Sequence, residues 1–124
     1  MRHGADPDDV ARAIAALRTP DHQVRRTHLD LGDKAVAISH PGRGHTRHDL
    51  IVAVAKAAVV FCGDLVEESG DPVNDEESDL AAWPATLERV RRTGGPDAAF
   101  VPGHGAVVDA AFVDAQRRWL LSRL

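Results

Sequence analysis

Hydrophobic and polar residues change their spacing several times along this chain, and each change marks an element. Ala11, Ile14, Ala15 and Leu17 recur at helical spacing behind Asp6-Pro7-Asp8-Asp9. In that quartet Asp6 caps, Pro7 suits the first helical position, and the acids favour the positive end of the helix dipole. Thr19-Pro20 closes the segment. From Val24 to Leu31, and again from Lys34 to Ser39, apolar and polar positions alternate around a Gly32-Asp33 turn, so residues 24–39 read as a hairpin. Two unbroken apolar runs follow, Leu50-Ile51-Val52-Ala53-Val54 and Ala57-Ala58-Val59-Val60-Phe61-Cys62, joined by Ala55-Lys56. Runs without alternation predict strands buried on both faces.

Beyond them the pattern loosens and then tightens again. Residues 67–79 carry seven acids together with Gly70 and Pro72 and predict a solvated loop. A helix starting near Ser78 or Pro84 carries Leu87 and Val90 inward as far as Gly94-Gly95. Ala98-Ala99-Phe100-Val101 is a short strand, and a closing helix from about Asp109 to Arg123 buries Phe112, Trp119 and Leu120. Strands interleaved with helices make the fold class α/β.

Composition narrows the function classes. A 124-residue chain that is 44% hydrophobic and 27% charged is expected to fold as one globular domain over residues 1–124. A net charge of −4 without a basic stripe argues against a nucleic-acid partner, although a local basic patch can survive a negative total. No apolar stretch reaches the ~18 residues of a membrane span, and Met1 to Asp6 lacks the apolar core of a signal peptide. With one cysteine no intrachain disulfide can form, so a cytoplasmic location is expected, with Cys62 a small buried apolar residue. There is no tyrosine, so no phenol is present to steady a developing oxyanion.

The candidate chemistry lies where apolar runs end in glycine. Gly44-His45, Gly63-Asp64 and Gly103-His104 each place a metal-competent side chain directly after such a glycine. Two imidazoles and a carboxylate suit zinc. If they converge, one ion takes all three and keeps a position for water, or Asp64 bridges two ions with one histidine on each. Taken singly, the same residues read as ordinary turns and caps.

Arg43-Gly44-His45-Thr46 with Asp49-Leu50-Ile51-Val52, Phe61-Cys62-Gly63-Asp64-Leu65 and Val101-Pro102-Gly103-His104-Gly105 resemble the later motifs of the metallo-β-lactamase superfamily in order and spacing. The resemblance runs from about residue 22 to the C-terminus, behind an N-terminal helical segment over residues 1–21. It implies half of an αββα sandwich, with a mixed sheet carrying helices on one face. It implies that His45 ligates one zinc, His104 another, and that Asp64 bridges them, with Thr46 and His48 as candidate rim residues. His48 stands where the family commonly has glycine. The implied activity is hydrolysis, with a metal-bound water attacking an ester, thioester, amide or phosphodiester of a small-molecule substrate.

The family's earlier motif, His-x-His-x-Asp-His, is absent from the chain. The resemblance therefore implies a truncated or split family member that binds zinc weakly alone and that self-associates or docks on a complementing chain. The alternative function is a non-catalytic remnant or interaction module.

Overall fold

The computed structural model of the protein describes residues 4–72 and 74–124. Helix α1 (Pro7–Ala15) begins as expected, with the Asp6 carboxylate accepting from the Asp8 backbone N–H at 2.8 Å. Strands β1 (Arg26–Asp30) and β2 (Ala35–Ser39) form the hairpin, turned at Gly32, whose φ of 97° a side chain would resist. Strand β3 (Ile51–Val54) pairs antiparallel with β2 and with β4 (Val59–Glu67); a 3-10 turn, Ala55–Ala57, joins β3 to β4. Helix α2 (Trp83–Gly94) then crosses over to β5 (Ala99–His104), which lies parallel to β4 at the sheet edge. Helix α3 (Ala110–Leu121) closes the chain, with the Asp109 carboxylate capping it through the Phe112 N–H at 2.9 Å.

The result is a mixed five-stranded sheet in the order β1-β2-β3-β4-β5, with α2 and α3 on one face. The core lies between them. Ile51, Ala53, Val60, Cys62 and Phe100 on the sheet meet Trp83, Leu87, Val90, Val113 and Leu120 on the helices. The expectation that β3 and β4 are buried on both faces is not met. Burial alternates along β3 and the first half of β4, and the residues pointing away from the helices remain half-buried or exposed. Register sets Thr27, Ile38, Val52, Phe61 and Val101 in one cross-strand row on that second face. Phe61 is 47% exposed. The runs are unbroken because the second face is apolar too, yet no described element covers it. Helix α1 does not, since its own Val10 and Ile14 face solvent.

Two further expectations are corrected. In α3 the buried stripe is Val113, Gln116 and Leu120, spaced as one helix face, while Phe112 and Trp119 flank it half-buried. The Arg123 guanidinium lies 4.4 Å from the centre of the Trp119 ring, which keeps that ring at the rim. Strands β4 and β5 also run further than their apolar stretches, to Glu67 and His104. Asp64 and His104 therefore lie within strands rather than beyond them.

Candidate metal centre

The His45 loop is built on α2. Trp83, fully buried, meets the His45 ring edge-on at 6.2 Å, and a Cβ on Gly44 would come within 2.9 Å of Trp83 Cδ1. Thr86 Oγ1 donates to the Arg43 carbonyl at 2.6 Å, and Ser78 Oγ donates to the His45 carbonyl at 2.8 Å. Asp49 then fixes the imidazole. Its Oδ1 lies 3.3 Å from His45 Nδ1, while its Oδ2 accepts from the Thr46 N–H at 2.6 Å. A carboxylate on one ring nitrogen leaves the other free to ligate, which is the usual support of a metal-binding histidine. The side chain of His45 is 20% exposed.

Asp64 owes its position to a fault in the sheet. Gly63 takes a left-handed φ of 55°, and the β4–β5 register slips from Phe61–Val101 to Gly63–Pro102 and again to Glu67–His104. Pro102 fits here because an edge strand can lack one ladder donor. The slip carries the Asp64 carboxylate over Gly103, where a Cβ would stand 1.8 Å from Asp64 Oδ1. Only glycine admits the carboxylate in this position. Beyond it Gly105, with φ at 97°, lets the chain turn, and Glu68 Oε2 accepts from the Ala106 N–H at 3.2 Å.

The three residues singled out from the sequence meet at this edge. His45 Nε2 lies 3.8 Å from Asp64 Oδ2, and His104 Nε2 lies 3.4 Å from Asp64 Oδ1. Each imidazole thus addresses a different oxygen of one carboxylate. Thr46 lines the same loop, its hydroxyl accepting from the His48 N–H at 3.2 Å. The His48 ring is elsewhere, exposed beside Arg47, Glu76 and Glu77.

Glu67 joins the cluster unannounced. One ligand atom from each of Asp64, Glu67 and His104 lies within 4.8 Å of the others. Its residue surface is 6% exposed, its Oε1 accepts from Ser69 Oγ at 2.5 Å, and its N–H donates to Gln116 Oε1 at 3.0 Å. Residues three apart on a regular strand point to opposite faces. The register slip alone turns Asp64 and Glu67 toward one histidine, so alternation in the sequence conceals the pair.

These residues fit a zinc ion. The imidazole–carboxylate separations exceed a good hydrogen bond of about 2.7–3.2 Å. Two donors on one tetrahedral zinc, each bound at about 2.0–2.2 Å, stand roughly 3.3 Å apart. The His104–Asp64 spacing of 3.4 Å matches that width, and the His45–Asp64 spacing of 3.8 Å is slightly wider. The cradle is open on one side, with Asp64 39% and His104 66% exposed.

A mixed sheet backed by two helices, with histidine and aspartate gathered at one edge, defines the class, and known proteins share its fold. No protein-family model matches the sequence. The chain is 32% identical over 85 residues to the metallo-β-lactamase type 2 of Bacillus cereus, a match covering 67% of this chain and 33% of that one. Its fold superposes on a metallo-β-lactamase from Pontibacter korlensis with a TM-score of 0.76 at 26% identity, covering 90% of this chain and 54% of the other. The mono-zinc form of metallo-β-lactamase FIM-1 from Pseudomonas aeruginosa gives a TM-score of 0.69 at 25% identity, covering 80% and 43%. The chain belongs to the metallo-β-lactamase superfamily. It spans about half the length of the solved structures it matches, and a third of the Bacillus cereus relative.

Proposed function

We propose that this chain is the metal-binding half of a zinc-dependent hydrolase. The observation that carries the reading is the pair of imidazole nitrogens set against the two oxygens of Asp64. His45, Asp64 and His104 hold one or two zinc ions, Asp49 orients His45, and Glu67 adds a third protein ligand to Asp64 and His104. Zinc, when bound, supplies Lewis acidity and a water ionised near neutral pH. The substrate is a small molecule with a scissile ester, thioester, amide or phosphodiester bond. We assign the chain to the cytoplasm, and fractionation of the native host tests that location.

Divided between two ions, these residues give the ion on His104 three protein ligands, with Asp64 and Glu67, but leave the ion on His45 short of three, so the isolated chain binds zinc weakly. The uncovered face bearing Val52 and Phe61, and relatives about twice as long, favour a complementing polypeptide that covers this face and brings the remaining ligands. Self-association is the second outcome for the same surface.

Calorimetric zinc titration is the test. His45→Ala and His104→Ala are expected to weaken binding by about tenfold or more, and Glu67→Gln by less. If neither histidine change alters binding, the metal centre is wrong. Turnover of a lactam, thioester, ester and phosphodiester panel is expected only with zinc and with a second polypeptide carrying His-x-His-x-Asp-His. Zinc binding without turnover under every such pairing would leave the non-catalytic module as the better reading.

A further inference from the structure

On the helix-bearing side of the sheet, away from the Asp64 cluster, β1 and β2 extend past α2 and leave a groove between strand ends and helix. Arg26 and Ser39 are register partners, and Ser39 in turn pairs with Ile51, a core residue, so both point to the helix side. From α2 the groove receives Arg89, Arg92 and Thr93, one stripe of the helix. With Arg25 and His40 these residues line an open groove of about 400 Å³.

Four of the chain's thirteen arginines line this groove, in a protein whose net charge is −4. Among the described residues no carboxylate lines it. Arg25 and Arg26 form no ion pair among the described residues, and Arg92 alone reaches an acid, Glu88 at 3.2 Å. Arg89 is held in place by the Pro41 carbonyl and by Thr86 Oγ1 at 3.3 Å. His40 Nδ1 donates to the Asp49 carbonyl at 2.7 Å, which fixes its ring. A gap between helix and sheet is ordinarily filled with apolar side chains; this one gathers cations that repel one another unless an anion lies among them.

We infer that the groove is a binding site for the phosphate group of a phosphorylated small molecule. Arginines that line one groove from a strand end and a helix suit a multiply charged oxyanion whose several oxygens take bidentate bonds. The Ser39 hydroxyl supplies a further neutral donor, while the Thr93 hydroxyl already donates to the Arg89 carbonyl at 2.8 Å. A volume near 400 Å³ exceeds what a lone phosphate fills and lies within the range of ligand pockets.

The test is an amide-shift titration by NMR on the metal-free chain, with inorganic phosphate, pyrophosphate and phenyl phosphate as probes. Saturable shifts confined to residues 25–27, 39–41 and 89–93 are expected. The double change Arg26→Gln with Arg92→Gln should weaken binding by about tenfold or more, and Arg118→Gln on α3 should leave it unchanged. Arg92 and Arg118 side chains are 75% and 66% exposed, so these variants are expected to keep the wild-type far-UV dichroism and melting curve. Tighter binding of phenyl phosphate than of inorganic phosphate supports an ester as the ligand. Shifts scattered over the surface, or equal in the double variant, overturn the site. An oligonucleotide binding more tightly than phenyl phosphate, with affinity rising with its length, overturns the small-molecule assignment.

Discussion

The Asp64 carboxylate occupies space that a side chain on Gly103 would fill, its Oδ1 1.8 Å from where that Cβ would lie. Gly103→Ala is therefore expected to displace the carboxylate and lower zinc affinity by about tenfold or more, since misplaced supporting groups cost that much at metal sites. Calorimetry on a variant with an unchanged far-UV spectrum checks it; undiminished affinity would mean the carboxylate is not where zinc binds. Cys62, by contrast, is an inert residue. Burial pushes its thiol up to about 12 from 9.0. Native protein should not react with a thiol-specific disulfide reagent at pH 8, and should react only as fast as it unfolds. The unfolded thiol ionises near 9 and the folded one near 12, so its linked stability is full below pH 9 and is lost as pH rises through that window. At this scale the sequence was informative: glycine before a ligand-type residue was visible at all three positions. Glu67 was not, because its meeting with Asp64 depends on a slipped register.

At the scale of elements, α3 supports β4 where the cluster lies. Gln116 Nε2 donates to the Leu65 carbonyl at 2.8 Å, and its Oε1 accepts from the Glu67 N–H at 3.0 Å. The Leu65 carbonyl has a second donor, Trp83 Nε1 at 3.1 Å. Gln116→Leu keeps the volume and leaves that carbonyl satisfied, but it orphans the buried Glu67 N–H. The expected loss is about 1–3 kcal/mol in a urea melt, the cost of one buried unpaired donor. A neutral substitution would show that the strand end is solvated. Element identities were readable from periodicity, capping and turns, as with the cap at Asp6 and the turn at Gly32. Strand ends were less so, because β4 and β5 continue through Asp64 and His104, where polar residues and Gly63 break the apolar signal although backbone pairing persists.

For the whole molecule, the question is what covers the second face of the sheet. The row Thr27, Ile38, Val52, Phe61 and Val101 is apolar but for one residue; Phe61 in it is exposed and the others are half-buried. Such faces mark interfaces. In the absence of a complementing polypeptide, the wild-type chain is expected to sediment as more than a monomer at tens of micromolar. Phe61→Glu, at a position the helices do not touch, should sediment as a monomer with the same secondary structure. A wild-type monomer showing no trend with concentration would remove the argument for a partner on this face.

Local chemistry was written along the chain: which segments curl, which extend, where turns fall, and which side chains are competent to hold zinc. Each follows from spacing, capping and glycine, which act over a few residues. Tertiary structure alone decided which apolar face is covered, where the sheet slips at Gly63, that Glu67 meets Asp64 and His104, and that arginines from a strand end and a helix surround one groove. Those facts depend on how distant segments pair, and pairing is settled by packing between elements rather than by the order of residues within any one of them.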